Sequence, residues 1–522
     1  MTDRLSPSTL ARDLFAGTVV FLVALPLCLG IANASGVEPF AGLVSGIVGG
    51  LVVAALSGSR LSVSGPAAGL VVIVVEGIAR LGSFSAFLLA VLLSGAIQFG
   101  FGMLKAGRLA AYVPSPVIKG MLAAIGLLLI VKQIPLALGV SGSDAEATAH
   151  VASSLTTPLG SLSLTACAIA VLSLALLVAW ETRALRRFPL VRLMPAPLAV
   201  VLLGIAATLA LDAFAPAFAP AAAHRVALPS LESFAALRGA LALADFGPNL
   251  AQLVNPDVWR VAFTLAIVAS LETLLSLEAV EQIDPKRRAA PPDRELKAQG
   301  VGNLIAGAIG GLPITSVIVR SSANVHAGAQ SRLSAVIHGV LLLVSVFALT
   351  SVINLIPLAC LAAILIFTGV KLAKPSLFAA TAKQGFAAFA PFIVTVIGVF
   401  ATDLLIGIVL GMLCSVLLTL RANLQRPITL AQHDDHYLLS FRKDVSFLGK
   451  VSLKHYLQQI PDGATLIVDA TRADFIDHDV HELIDRFAAD APRRSIALEI
   501  RQHAHATRRP TREWTWRRTA AE

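Results

Sequence analysis

The stretch Ser64-Gly-Pro-Ala-Ala-Gly69 interrupts a long apolar run with glycine and proline, and Gly310-Gly-Leu-Pro-Ile-Thr315 does the same in the second half of the chain. A helix-forming run follows each stretch, so each predicts a broken membrane span that continues as a half-helix inside the bilayer. A helix N-terminus carries about +0.5 elementary charge and unpaired N–H groups. Two such ends that face one cavity predict an anion site.

Composition places the chain among membrane proteins. Its 522 residues are 56% hydrophobic and 14% charged, and the mean hydropathy is +0.79, which is too apolar for a soluble protein of this length. We count about fourteen apolar stretches long enough to span a bilayer, between Phe15 and Leu420. The predicted fold class is an all-α polytopic membrane protein with a small α/β domain after it. The four cysteines lie in apolar runs and are predicted to pack rather than to bind metal.

Basic residues set the predicted orientation. Lysine and arginine collect in short connections near residues 183–192 and 286–297, which the positive-inside rule assigns to the cytoplasm. The connection at 141–148 has acids and no bases and is predicted to lie outside. Fourteen spans then leave both termini in the cytoplasm, with the chain in a plasma membrane, the inner membrane of a bacterium. The net charge of +9 follows from this topology and a basic tail, so nucleic acid is not a predicted partner.

The chain changes character near Arg421, where polar sequence replaces the apolar runs. Short β-like runs alternate there with helical patterns, at 437–441, 448–459, 465–469, 479–488 and 495–500. Four segments are therefore predicted: a cytoplasmic N-terminus at 1–13, a transmembrane anion-transport domain at 14–421, a cytoplasmic α/β domain at 432–503 and a basic disordered tail at 504–522.

Glu272 lies in a span that is otherwise uncharged from 261 to 276. An intramembrane carboxylate is costly and predicts a function by default. Ser276 stands one helical turn later on the same face, so Glu272 and Ser276 can together bind one small coupling cation, which would be a metal site if that ion is sodium. The alternative is that Glu272 only forms an ion pair with Arg320.

Arg320 follows the break at Pro313 by about two turns, on the half-helix expected to begin near Thr315. Two helix ends contribute about +1 elementary charge to the site, and Arg320 contributes another positive charge. Ionised Glu272 contributes a negative charge, which lowers the net positive charge of the site. Neutralising Glu272 with a proton or sodium therefore strengthens anion binding, which is a coupling mechanism. The alternative is that Arg320 is a structural clamp on the span of Glu272.

The predicted direct ligands of the anion are backbone amides at both breaks, with serine hydroxyls as optional donors. Serines in membrane helices often bond their own backbone, so we rank the hydroxyls below the amides. The full predicted substrate-binding set is Ser64, Gly65, Ala67, Ala68, Ser316, Val317, Ile318, Arg320 and Ser321.

Several motifs together resemble one family. They are Leu25-Pro26, Ser62-Val-Ser-Gly-Pro66, Glu272, Gln299-Gly-Val-Gly-Asn303, Gly311-Leu-Pro-Ile-Thr-Ser-Val-Ile-Val-Arg-Ser321, and a C-terminal domain similar to a STAS domain. The chain resembles the SulP anion transporters, relatives of the animal solute-carrier anion exchangers and of prestin. The resemblance implies two inverted repeats of seven spans, core and gate subdomains, a homodimer, and a site between the N-termini of spans three and ten. It also implies an acid and a hydroxyl at Glu272 and Ser276 for sodium, or the acid alone for protons.

Three positions depart from that family. Many relatives have a glutamine where Leu27 stands and aromatic residues where Ile31 and Ala67 stand. The pocket is therefore expected to have less aromatic lining and one side-chain donor fewer. This favours a small hydrated inorganic anion over a dicarboxylate.

The predicted function is secondary active transport of bicarbonate or sulfate, coupled to sodium or protons by an elevator-type mechanism, with no other cofactor. An uncoupled exchanger, a channel-like chloride conductor, a dicarboxylate carrier and a membrane scaffold stay open. The sequence has no GxxxxGK[ST], HExxH or GxSxG motif, so an enzyme is not predicted. Asp477, His478 and Asp479 stand where STAS-like signalling domains carry a phosphorylatable serine, so switching by serine phosphorylation is not predicted at this loop. The expected role of the domain is a dimer contact or docking of a cytoplasmic regulatory partner.

Overall fold

The computed structural model describes residues 7–107, 113–140, 163–182, 185–187, 194–229, 252–402, 404–424, 428–442, 444–445, 449–473 and 475–502. The chain forms two compact units, Met1–Cys414 and Ser415–Glu522. The predicted acidic connection at 141–148 and the predicted tail at 504–522 lie outside the described residues.

The first unit is helical, and the described residues hold fourteen helices that correspond to the predicted spans. Eight helical segments among them are long and apolar enough to cross a membrane, so the polytopic membrane fold is confirmed. A short helix, Pro375–Lys383, lies between the helices Leu358–Leu372 and Phe386–Ala401. The helices are α1 (Pro7–Ala34), α2 (Pro39–Leu56), α3 (Val71–Leu81), α4 (Phe84–Met103), α5 (Ser115–Ala137), α6 (Leu164–Trp180), α7 (Ala196–Phe214), α8 (Pro256–Ile283), α9 (Pro292–Ala308), α10 (Ile318–His326), α11 (Leu333–Ala348), α12 (Leu358–Leu372), α13 (Phe386–Ala401) and α14 (Leu404–Leu424).

Two short strands precede the half-helices α3 and α10. Strand β1 (Ser64–Pro66) pairs antiparallel with β2 (Ile314–Ser316), and Gly65 lies opposite Thr315. The expected start of the second half-helix near Thr315 is therefore wrong, because α10 begins at Ile318. Ile314 and Thr315 are β-branched and suit an extended strand better than a helix start. The ribbon of β1 and β2 was not predicted.

Close packing of α4 against α9 holds α9 beside this ribbon. A Cβ added at Gly95 of α4 would lie 2.5 Å from the Leu304 nitrogen, and one added at Gly300 of α9 would lie 2.6 Å from the Phe99 nitrogen. Small residues let two membrane helices approach at backbone distance. The side chains of α9 that face the ribbon are thereby fixed in position.

The second unit is an α/β fold with a four-stranded sheet in the order β3-β4-β5-β6. The first pair is antiparallel and the next two pairs are parallel. Its elements are β3 (Ile428–His433), β4 (His436–Phe441), α15 (Gly449–Gln458), β5 (Thr465–Ala470), α16 (His478–Asp490) and β6 (Ala497–Gln502). The predicted small α/β domain is confirmed, although β3 was missed and begins before the predicted boundary at 432. In β3 only Ile428 is fully buried, so the strand lacks a clear alternating pattern.

Candidate functional site

Arg320 is a fully buried charged side chain beside the ribbon of β1 and β2. It is 0% exposed, and its Nη2 donates to the Pro66 carbonyl oxygen at 3.3 Å and to Cys28 Sγ at 3.4 Å. Its Nε and Nη1 have no hydrogen-bond partner among the described residues. A Cβ added at Gly65 would lie 2.0 Å from Nη1, so glycine is needed for the guanidinium to reach β1. Arg320 therefore keeps two donor groups for a ligand.

The two half-helices supply backbone donors on either side of the ribbon. Helix geometry leaves the first N–H groups of α10, those of Ile318 and Val319, without an intrahelical acceptor. A 3₁₀ turn, Ala68–Leu70, leads into α3. The Ala68 amide is the first N–H group of this turn and therefore corresponds, at the break at 64–69, to the first amides of α10. The Val317 amide, predicted as a ligand, instead donates to the Val63 carbonyl oxygen at 3.0 Å and is not available in this structure.

The predicted serine donors of the second break mostly build the ribbon. The Ser321 hydroxyl donates to the Val317 carbonyl oxygen at 2.8 Å and accepts from the Val63 amide at 2.9 Å. The Ser316 hydroxyl shares a short hydrogen bond with the Ser62 hydroxyl, and either oxygen can be the donor. These bonds tie the start of α10 to the segment before β1. Backbone amides and Arg320 are thus better placed than serine hydroxyls to hold a ligand.

Asn303 of α9 holds β2 in place. Its Oδ1 accepts from the Ile314 amide at 2.6 Å, and its Nδ2 donates to the Ile314 carbonyl oxygen at 3.0 Å and to Gln98 Oε1 at 2.6 Å. One side chain therefore satisfies both backbone groups of a strand residue. The sequence marked Asn303 only as part of a motif. Its signal in the sequence was an amide side chain directly before the apolar run Leu304-Ile-Ala-Gly-Ala308.

Gln299 and Ser64 connect α9 to β1 in a similar way. Gln299 Nε2 donates to the Ser64 hydroxyl oxygen at 2.7 Å and to Glu295 Oε1 at 3.0 Å. Glu295 is itself 0% exposed, and its other carboxylate oxygen accepts from the Ser57 hydroxyl. Helix α9 thus fixes both strands of the ribbon through two side chains one turn apart.

Glu272 lies on α8 beside the start of α3. A Cβ added at Gly69 would lie 2.9 Å from its Oε1 and 3.0 Å from its Oε2. Oε2 is buried and has no hydrogen-bond partner among the described residues. The neighbouring Thr273 hydroxyl oxygen accepts from the Ser316 amide at 3.3 Å, which ties α8 to β2. Ser276 is buried one turn further along, and the described residues show no hydrogen bond between it and Glu272.

Glu272 and Arg320 approach the same segment at different points. Arg320 faces Gly65 and Glu272 faces Gly69, and the described part of the chain shows no ion pair between Arg320 and Glu272. The described hydrogen bonds of Arg320 go to α1 and β1, so it does not clamp α8. Both structural alternatives from the sequence therefore lack the contact that they require.

The loop before α16 in the second unit has ordinary helix-capping chemistry. The Asp477 carboxylate accepts from the Asp479 amide at 3.0 Å at the N-terminus of α16. Burial lowers the pKa of His481 below its usual range. The described residues contain no cluster of three or more His, Cys, Asp or Glu side chains that could hold a metal ion.

Comparisons with known proteins agree with this arrangement. Residues 10–396 match the model of the Sulfate permease family. The chain is 27% identical over 488 residues to the putative sulfate transporter YvdB of Bacillus subtilis, covering 89% of this chain and 86% of that protein. It is 24% identical over 459 residues to the bicarbonate transporter BicA of Picosynechococcus sp., covering 84% of this chain and 76% of that protein.

Two solved structures share the fold. The transmembrane domain of a cyanobacterial BicA superimposes with a TM-score of 0.61 at 21% identity, over 79% of this chain and 98% of that one. The overall structure of SLC26A9 superimposes with a TM-score of 0.72 at 16% identity, over 94% of this chain and 84% of that one.

Proposed function

Because this chain belongs to the Sulfate permease family, we propose that it carries a small inorganic anion, bicarbonate or sulfate, by secondary active transport across the plasma membrane. It is a multi-pass membrane protein of a transporter family rather than an enzyme. Membership of the family leaves open the chemical nature of the substrate, the coupling ion and the residues that bind them, and these are what is proposed here.

Arg320 is the observation that carries the proposal. A fully buried guanidinium with two unpaired N–H-bearing nitrogens is costly, because a buried charge needs a partner to offset its lost hydration. The first amides of α10 lie on the same half-helix, and helix N-termini favour anions. A bound anion would satisfy Arg320 and the unpaired amides together.

The surrounding side chains favour a compact anion. Leu27, Ile31 and Ala67 are buried and bear no donor group, so recognition rests on Arg320 and on backbone amides. Relatives named as sulfate and as bicarbonate transporters both match this chain, and both anions stay in the proposal. A dicarboxylate would need a second cationic contact at a fixed distance from Arg320.

Glu272 supplies the proposed coupling. Its carboxylate lies against Gly69 at the turn that starts α3, where a negative charge opposes the binding of an anion at the same helix end. A sodium ion, held with Ser276, or a proton removes that repulsion. Cation and anion then bind cooperatively and cross together, in an elevator-type movement of a homodimer.

The second unit is proposed to be a STAS-like cytoplasmic domain, and both termini are proposed to be cytoplasmic. Its role in this proposal is contact between protomers or docking of a regulatory partner. The four-stranded sheet and two helices provide a self-contained core for either role, with Leu439, Leu466 and Val468 buried on the sheet.

Reconstituted flux tests the proposal. Full-length protein in liposomes is supplied with radiolabelled bicarbonate, sulfate or chloride, under a sodium gradient and separately under a pH gradient. We expect saturable, gradient-driven uptake of at least one anion. Glu272→Gln should retain flux but lose its gradient dependence, because the amide cannot bind a cation by charge. Glu278→Gln, an exposed carboxylate on the same helix, is the matched control.

The outcomes separate the alternatives. Uptake that ignores both gradients in the unmodified protein would indicate an uncoupled exchanger or a channel-like conductor. Gradient dependence that survives in a folded Glu272→Gln variant would place the coupling site elsewhere. Flux of none of the three anions would refute the proposed function.

A further inference from the structure

Thr315 carries a buried hydroxyl that the proposed anion site does not yet include. It lies in the middle of β2, is 0% exposed, and its Oγ1 has no hydrogen-bond partner among the described residues. A β-branched side chain suits a strand, but valine has the same shape without a polar atom. Because a buried hydroxyl without a partner is costly, strand packing alone does not explain a threonine here.

The two faces of the ribbon have different neighbours. Side chains alternate between the faces of a strand, and residues directly opposite each other in a pair share a face. The Ser64 hydroxyl oxygen accepts from Gln299 Nε2 at 2.7 Å, so Ser64 and its partner Ser316 lie on the face towards α9. Gly65 and Thr315 are paired with each other and therefore lie on the opposite face.

Arg320 lies on the face of the ribbon that holds Thr315. A Cβ added at Gly65 would lie 2.0 Å from Arg320 Nη1. Opposite Cβ positions in an antiparallel pair are about 4.5–5.5 Å apart, so the Thr315 Cβ lies within about 7.5 Å of Nη1. The Thr315 hydroxyl and Nη1 do not bond to each other, since neither has a partner in the described part of the chain. Two donors that bind one anion oxygen stand about 5 Å apart, so a small anion can bridge them.

We propose that the Thr315 hydroxyl binds the anion together with Arg320 and selects an anion that has an O–H group of its own, bicarbonate. This inference rests on the proposed function. The Arg320 guanidinium and the first amides of α10 only donate hydrogen bonds, so they can satisfy the acceptor atoms of any anion. The Thr315 oxygen also has lone pairs, and it can accept the hydrogen bond that the O–H of bicarbonate donates.

Nitrate is the anion that isolates this effect. It has the same charge and the same planar shape as bicarbonate, but it has no O–H group. A site that pairs the hydroxyl of its ligand discriminates against an analogue that lacks this hydroxyl. The affinity ratio of bicarbonate to nitrate should therefore depend on Thr315. Ser64 and Ser316 lie on the other face of the ribbon and cannot replace it.

Calorimetric titration of the purified full chain with bicarbonate and with nitrate, at mildly alkaline pH, measures this ratio. We expect Thr315→Val to lower the ratio about tenfold, the effect of one lost hydrogen bond to a charged ligand. Thr315→Ser keeps the hydroxyl and should keep the ratio. The matched control is Thr208→Val on α7, whose Oγ1 is likewise buried and unpaired among the described residues. It should bind both anions as the unmodified protein does, because α7 forms no part of the ribbon or the half-helices.

Four results would overturn the inference. They are an unchanged ratio in Thr315→Val, an equal change in Thr208→Val, no recovery in Thr315→Ser, and binding of sulfate without bicarbonate by the unmodified protein. If Thr315→Val does not fold, Thr315→Ala decides, because it also removes the hydroxyl and adds no bulk. Absence of binding for bicarbonate, sulfate and chloride alike would instead refute the proposed function.

Discussion

Gly65→Ala should expel the Arg320 guanidinium from the ribbon. The new Cβ would lie 2.0 Å from Nη1 and 3.0 Å from Cζ, which is far inside van der Waals contact. The strand cannot retreat easily, because β1 is paired with β2 and held from α9. The end of a flexible arginine side chain gives way at lower cost, so Arg320 rather than β1 is expected to move.

The loss of affinity follows from what Arg320 contributes. Hydrogen bonds to a charged group are worth about 1.5–3 kcal/mol, which corresponds to about 10- to 150-fold weaker anion binding. Binding is expected to persist weakly, since the amides at the start of α10 are unchanged. The assay is anion affinity by calorimetry on the full chain, accompanied by a thermal melt of each variant.

Gly100→Ala is the matched control for Gly65→Ala. Nothing lies within 4 Å of a Cβ added at Gly100 on α4, so this variant should bind anion as the unmodified protein does. Equal affinity of Gly65→Ala and Gly100→Ala, with normal melting of both, would refute the reasoning about Arg320.

Three further predictions concern other parts of the structure. Gly69→Ala places a Cβ 2.9 Å from Glu272 Oε1, so liposome uptake should lose its gradient dependence; a fully coupled variant would contradict this. Asn303→Leu should melt at a lower temperature than the unmodified protein, because leucine leaves three buried groups unpaired at about 1–3 kcal/mol each. Equal melting of this variant and the unmodified protein would be inconsistent with this. Truncation after Arg426 should retain anion binding, and its complete loss in a monodisperse protein would show that the second unit belongs to the site.

The membrane fold could be predicted because its signal is local. About twenty consecutive apolar residues indicate a membrane span, and glycine and proline indicate the breaks at 64–69 and 310–315. The ribbon could not be predicted in the same way. Each strand has three residues, too few for a period, and its partner lies about 250 positions away.

The charged residues of the candidate site could be predicted from the sequence, whereas its neutral polar residues could not be predicted as well. Glu272 and Arg320 stand out because a charge in an apolar span is costly wherever it points. Asn303 carries no charge, and only the packed structure shows that its side chain holds β2 in place. The Val317 amide could not be excluded from sequence, because its acceptor at Val63 depends on the ribbon register.

The position of a bound anion tests the central claim most directly. Crystals of the full chain soaked with selenate or bromide, heavy counterparts of sulfate and chloride, would give an anomalous difference map that locates the anion. We expect a peak within hydrogen-bonding distance of Arg320 and of the first amides of α10, beside the turn that starts α3. A peak elsewhere in the membrane unit, with none at Arg320, would contradict the proposed site.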